Sequence, residues 1–148
     1  GPTGVKFLEA GKVHEQVGGR KGHYVDPCVR LWPSSAAFVA DPGSRVEFFA
    51  PVMDVVPVES AEAAIAAHNA VPFGLSASVF TTSRKSFEHF SNHLHAANIY
   101  ANLPTTMSPS ALPFGGWGDS GNRHPGGRGL IRFAADEQVL QEAQDSLS

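Results

Sequence analysis

Several groups of residues have the types and spacing that chemistry uses. Gly116-Trp117-Gly118-Asp119-Ser120-Gly121 has the spacing G-x-G-x-x-G. Such a run cradles a pyrophosphate when a strand precedes it and a helix follows. Here Ala111-Leu112-Pro113-Phe114 precedes it, and Asn122 to Pro125 and then Gly126-Gly127 follow. Proline and paired glycines oppose a normal helix start, so the run reads as a tight surface or active-site loop. His89, His93 and His95 cluster on one predicted helix, and His89 and His93 stand four apart, the spacing of two metal ligands on one helix face. No carboxylate stands in the matching pattern, and the group reads as a solvated helix face with no metal. Cys28 lies between Pro27 and Val29 in an extended stretch. A nucleophilic thiol needs a helix N-terminus or a neighbouring base, and the sequence places neither beside it. Glu47 adjoins Phe48 and Phe49. A carboxylate beside an aromatic ring suits a ribose diol and a flat heterocycle. The same residues suit a surface Glu flanking core aromatics, and spacing leaves both open.

The elements that must position these groups are clearest in the middle of the chain. Val46 to Val58 is β-branched and aromatic and predicts a strand, with Pro51 and Pro57 limiting its ladder. Ser60 predicts an N-cap for a helix over Ala61 to Ala70, with Glu62 in its first turn and Pro72 and Gly74 beyond its end. Leu75 to Thr81 predicts a second strand. Ser83 caps a second helix, on which Phe87, Phe90 and Leu94 form one buried stripe. Asn98 to Asn102 predicts a third strand. Strand–helix–strand–helix–strand predicts an α/β fold with these three strands parallel, and ligands gather at the carboxyl ends of such strands. The third strand runs into a long Gly- and Pro-rich loop from Leu103 to Gly129, and loops of that length are often functional. Residues 1–45 are less periodic. They predict a short strand over Val5 to Glu9, a turn at Gly18 to Gly22, extended His23–Val25 and Val29–Trp32, and a turn at Asp41 to Ser44. Leu130–Phe133 and Gln138–Gln141 read as extended, and Glu142–Ser148 as a frayed tail.

The chain has 148 residues, 42% hydrophobic and 17% charged, which fits a folded domain. Its net charge of -3 gives no basic field for nucleic acid or an anionic membrane. No apolar run approaches the roughly 20 residues that span a bilayer. No signal peptide is visible, and Gly1-Pro2 reads equally as a native start or a cleavage scar. A single cysteine excludes an internal disulfide and a cysteine-rich zinc site, and fits a cytoplasmic setting.

Six segments, in order, resemble the aldehyde dehydrogenase superfamily. Gly22-His23-Tyr24-Val25-Asp26-Pro27-Cys28-Val29 resembles G-[YF]-[FY]-[VI]-x-P-T-[VL]. Glu47-Phe48-Phe49-Ala50-Pro51-Val52 resembles E-[IV]-F-G-P-V, and Asn69 to Thr81 resembles N-x-x-x-[YF]-G-L-[SA]-A-[SG]-V-[FW]-[ST]. Ala97 to Asn102 resembles G-x-[VI]-x-[VI]-N, and Pro113-Phe114-Gly115-Gly116 with Ser120-Gly121 resembles P-F-G-G-x-x-x-S-G. Arg132 to Leu140 sits where the family has its last oligomerisation strand. The resemblance implies the parallel-sheet portion of the catalytic domain, with flanking helices, over residues 1–130. It implies an oligomerisation strand and tail over 131–148. It also implies oxidation of an aldehyde to an acid with NAD or NADP, through a cysteine thiolate, a glutamate base and an oxyanion hole. By this carry-over Glu47 binds the nicotinamide-side ribose and Phe49 positions the nicotinamide. Phe114 lines the aldehyde site and Asn102 helps shape it.

Val46 stands where many members have Glu, and Ala50 where they have Gly, whose place beside the cofactor has less room for a methyl group. A Pro-Thr-Thr run like Pro104-Thr105-Thr106 occurs in semialdehyde-type branches. Cys28 falls on the Thr of the first motif, so it is not the family nucleophile. That nucleophile, the base and the dinucleotide domain lie upstream of everything matched, so no catalytic residue is assigned and these residues alone are expected to be inactive. The resemblance implies a small aldehyde substrate and a homo-oligomer. The missing upstream part is expected to leave apolar surface exposed. A rival reading is a catalytically dead module kept for oligomerisation or scaffolding. A free-standing nucleotide-binding domain ranks lowest.

Overall fold

The computed structural model describes residues 4–122, 126–135 and 138–141. The first half is built on three paired strands. β1 (Lys6–Ala10) runs antiparallel to β4 (Cys28–Leu31), and β4 runs parallel to β5 (Val52–Val55). Between β1 and β4, β2 (Val13–Val17) and β3 (Arg20–Val25) form a separate antiparallel hairpin, so the glycine-rich turn is confined to Gly18-Gly19. Between β4 and β5 the chain forms α1 (Ser35–Ala40) and a 3-10 turn over Pro42–Arg45. Ser34 accepts the Ala37 N–H at 3.2 Å and starts the helix, and Asp41 accepts the Gly43 N–H at 2.7 Å and starts the turn.

The second half is a βαβ unit behind a helix. α2 (Ala61–Asn69) starts at Ser60, which accepts the Ala63 N–H at 3.1 Å. α3 (Arg84–His93) starts at Ser83, which accepts the Ser86 N–H at 3.2 Å. α3 connects β7 (Ser76–Val79) to β8 (Asn98–Ala101), which pair in parallel from Ser76↔Asn98 to Val79↔Ala101. Ala77, Leu94 and Ala96 form the core here, with Ile65, Val79, Phe90 and Ile99 packed on it. Phe90 and Leu94 thus bury as the helical period predicts; Phe87 is half-buried outside this cluster. A two-residue strand β6 (Phe73–Gly74) pairs antiparallel with β9 (Trp117–Gly118). A 3-10 turn over Gly127–Gly129 leads into α4 (Leu130–Ala134).

Four local expectations change. The predicted strand over 46–58 shrinks to β5, and residues 46–51 are bends and irregular backbone. Pro51 lacks an N–H, and the ladder starts only where Val52 meets Cys28. The three middle strands are parallel in pairs but do not share one sheet. β5 pairs with β4, and β7 with β8. Leu130–Phe133 is helical, because the preceding 3-10 turn launches it, with the Leu130 N–H donating to Gly127 O. Gln138–Gln141 has no strand assigned, Val139 and Leu140 are exposed, and the rest of the expected tail lies outside the described residues.

The chain exposes 11280 Å². A compact monomer of its 15.7 kDa exposes roughly 7300 Å². Phe7, Leu8, Val13, Met53, Phe80 and Ile131 are among the large apolar side chains left in solvent. The expected apolar exposure is therefore present.

Candidate functional site

The glycine-rich loop closes on itself. Gly118 has φ +56°, and a Cβ there would overlap Pro72 O. Cβ atoms on Gly116 or Gly121 would collide with the backbones of Ser120 and Gly116 respectively. The Asp119 N–H donates to Pro72 O at 2.9 Å and the Ser120 N–H to Trp117 O at 3.1 Å. Ser120 Oγ accepts the Gly74 N–H at 3.2 Å. The glycines thus serve close backbone approach, in line with the tight-loop reading.

Beside this loop lies an open cavity of about 1140 Å³. Phe114 lines it, with Asn98, Trp117, Ser120, Asn122 and Arg128 among its neighbours. Phe114 is half-buried and tied by its carbonyl, which accepts the Gly126 N–H at 2.8 Å. Asn98 Nδ2 donates to Leu75 O at 2.8 Å and Gly115 O at 2.9 Å, so β8 holds the loop's first turn directly. Among the described residues Arg128 is the one charged residue in this lining. Sequence reasoning missed both Asn98 and Arg128. Arg128 lies in the segment read as a structureless loop.

Asn102 ends β8 in the left-handed region at φ 54°. Asn tolerates that conformation better than most residues. Its Oδ1 accepts the Thr81 N–H at 2.8 Å and its Nδ2 donates to Thr81 O at 2.9 Å. The side chain thus extends the β7–β8 pairing past its last residue. Asn102 does not line the cavity.

Glu47 and Phe49 lie apart from it, on the bends before β5. Phe49 is 95% exposed, and Glu47 is exposed with no hydrogen-bond or ion-pair partner among the described residues. Phe48 between them lies under Arg30, whose Cζ is 5.1 Å from the ring centroid. Arg30 Nε and Nη2 donate to Asp54 at 2.7 and 2.6 Å, and Trp32 Nε1 donates to Asp54 Oδ1 at 2.7 Å. Sequence reasoning missed this network. Its signal was a lone Asp in an otherwise apolar strand, opposite an Arg and a Trp two residues apart.

The histidines sit against a helix as well as solvent. His89 is half-buried, and its Nε2 lies 3.5 Å from Glu62 Oε1 on α2. His93 Nδ1 lies 2.7 Å from His89 O, and His93 and His95 are exposed. The solvated-face reading therefore holds for His93 but not for His89, which faces α2, and His95 is exposed but lies beyond the end of α3. Among the described residues no group of three or more His, Cys, Asp and Glu is placed to hold a metal ion. Glu62 is held below the usual carboxylate range by its own backbone N–H and by Ser60. Cys28 is half-buried on β4, where its N–H donates to Pro51 O at 2.8 Å.

Comparison with known proteins agrees with the motif order. A profile of the aldehyde dehydrogenase family matches residues 2–139. An N-succinylglutamate 5-semialdehyde dehydrogenase of Caulobacter sp. (strain K31) is 42% identical over 99 residues, 67% of this chain and 20% of that protein. One from Sphingopyxis alaskensis is 44% identical over 80 residues, 54% of this chain and 17% of that protein. The chain thus spans about a fifth of the length of these curated relatives. Among solved structures, PnpE from Pseudomonas sp. WBC-3 superposes with a TM-score of 0.72 at 29% identity, over 86% of this chain and 25% of that one. An NAD-dependent aldehyde dehydrogenase from Sinorhizobium meliloti superposes with a TM-score of 0.66 at 28% identity, over 85% and 23%. A Staphylococcus aureus betaine aldehyde dehydrogenase in complex with NAD+ shares the fold, with a TM-score of 0.74 at 22% identity over 88% and 25%. No described helix is long and apolar enough to cross a membrane. With its motifs in order and its α/β fold shared, the chain belongs to the aldehyde dehydrogenase family.

Proposed function

We propose that these residues supply the later catalytic domain (1–130) and the oligomerisation tail (131–148) of a cytoplasmic, homo-oligomeric enzyme that oxidises an aldehyde to a carboxylic acid with NAD or NADP. The observation that carries this reading is the family match over residues 2–139. Glu47 offers two acceptor oxygens, without a partner among the described residues, for a ribose diol, and the exposed Phe49 ring offers a face for a planar heterocycle. That donor set fits a nicotinamide nucleoside. The bound cofactor supplies the hydride acceptor. On the substrate side, Phe114 walls the aldehyde site and Asn102 braces the end of β8 that shapes it. The nucleophile and base come from outside these 148 residues, so the isolated chain does not turn over substrate.

The relatives' names support a semialdehyde, an aldehyde that carries an acid group elsewhere. Arg128, the cation among the described residues that line the cavity, is the group for that carboxylate. The test is an absorbance assay of NAD(P)H formation at the protein's full native length, with aldehydes bearing and lacking a carboxylate. Turnover favouring the acidic aldehydes supports the reading. Arg128→Met raises their KM about tenfold and leaves neutral aldehydes unchanged. A full-length protein inert with both cofactors and every aldehyde overturns it in favour of a scaffolding module.

A further inference from the structure

We infer that Arg30 is a positioning residue for the cofactor-side segment: clamped by Asp54, its guanidinium holds Phe48 and so sets where Glu47 and Phe49 stand. The inference rests on the roles proposed above for Glu47 and Phe49.

The clamp follows from strand geometry. Arg30 and Asp54 are direct partners in the parallel β4–β5 ladder. Trp32 follows Arg30 by two residues, so both side chains leave the same face. The Asp54 carboxylate takes two hydrogen bonds from Arg30, at 2.7 and 2.6 Å, and one from Trp32 at 2.7 Å. Trp32 is 2% exposed and stands edge-on to Phe38 of α1 at 5.3 Å, so the base of the clamp is fixed in the sheet–helix layer. A bidentate fork fixes the plane of the guanidinium, which leaves a face for an aromatic ring. Phe48 lies against it, with its centroid 5.1 Å from Cζ.

Among the described residues no other side chain holds residues 47–49, and just beyond them the Ala50 carbonyl accepts the Val52 N–H at 2.7 Å. Before it, the Val46 N–H donates to Gly43 O at 3.2 Å. After it, Pro51 O accepts the Cys28 N–H at 2.8 Å. Between these anchors, Glu47 and Phe49 make no hydrogen bond, ion pair or ring contact among the described residues, and Phe48 has its contact with Arg30. Neighbouring Cα atoms are about 3.8 Å apart, so fixing Phe48 confines both of its neighbours.

The test uses Phe48→Leu, Phe48→Tyr and Arg30→Met in the protein at full native length, with two readouts. One is the rate of chymotryptic cleavage within residues 47–50, followed by mass. The other is KM for the nicotinamide cofactor against kcat. Arg30→Met accelerates cleavage after Phe49, and both Arg30→Met and Phe48→Leu raise the cofactor KM about threefold to tenfold with kcat within about twofold. Phe48→Tyr, which keeps the ring face, restores wild-type values, and the double variant is no worse than Phe48→Leu. Phe48→Leu leaves the Arg30–Asp54 pair intact, so it decides the matter if Arg30→Met fails to fold. An unchanged cofactor KM in Phe48→Leu with unchanged cleavage in Arg30→Met, or independent and additive effects, overturns the inference. If Glu47→Gln leaves the cofactor KM unchanged while Arg30→Met still frees the stretch, the cofactor reading falls and the tether stands.

Discussion

The two candidate segments are held in opposite ways. The loop from Phe114 to Gly121 is fixed by its backbone. Its N–H groups and carbonyls are paired with Pro72, Trp117, Gly126 and Asn98, and Gly116 and Gly121 approach so closely that no side chain fits between them. The Glu47–Phe49 stretch is fixed by a side chain. It has anchors at both ends and one ring contact in the middle. A cavity wall must keep its shape whether or not a ligand is present, and backbone pairing does that. A stretch held by one side-chain contact depends on that contact for its position. The first segment should therefore break on changes that add atoms to the backbone, and the second on changes to side chains far from the ligand.

The largest effect should come from Gly121→Ala. The new methyl group would overlap the Gly116 carbonyl oxygen, so backbone must shift to admit it. A loss on the order of 3 kcal/mol is expected in urea unfolding, together with loss of activity. A silent Gly121→Ala would remove the claim that this loop is backbone-fixed. Asn98→Ala comes next. It strips the donor from Leu75 O and Gly115 O, at a cost of about 1–3 kcal/mol. It should raise the aldehyde KM and leave the cofactor KM alone. Glu47→Gln should do the reverse. Glu47 touches no partner among the described residues, so unfolding should not change, while the cofactor KM rises about tenfold, or roughly 1.4 kcal/mol. Crossed effects from these two variants would merge the regions into one site.

The backbone-fixed half was also the more legible in sequence. α2 and α3 announce themselves through Ser60 and Ser83 at their caps and through Phe90 and Leu94 at helical spacing. Those signals are local, and local pairing decides them. The pairing of β5 with β4 is not local. It depends on which edge the chain meets after α1, and nothing in the Val52–Val55 pattern records that. α1 was missed although Ser34 follows Pro33, because six residues carry too little period to register. Leu130–Phe133 has the composition of a strand, and the turn before it decides otherwise. Motif resemblance named Glu47, Phe49, Asn102 and Phe114 as candidates, and of these Phe114 lines the cavity. It did not name Arg30, Asp54 and Arg128, since their meaning comes from contacts that join distant parts of the chain.

The smallest effect tests how independent the two halves are. His68 on α2 is half-buried, and its Nε2 is buried without a hydrogen-bond partner among the described residues. Burial holds its pKa below the usual 6.5, the charge of His95 acts in the same direction, and hydrogen bonding with the His95 backbone opposes both. A base whose pKa is depressed by folding binds its proton more readily when unfolded. Its neutral form thus supports the fold above pH 6.5, and that support is lost as pH falls below 6.5 through the folded value. His95 lies just before β8, so the protection of the β8 amides against hydrogen exchange, relative to the intrinsic rate at each pH, should fall with acid, while that of the β4 amides, backed by the Arg30–Asp54 clamp, falls less. His68→Gln should flatten the β8 response. Equal acid sensitivity in β4 and β8 would mean that the halves unfold as one unit, and the difference between the two segments would then lie in their loops alone.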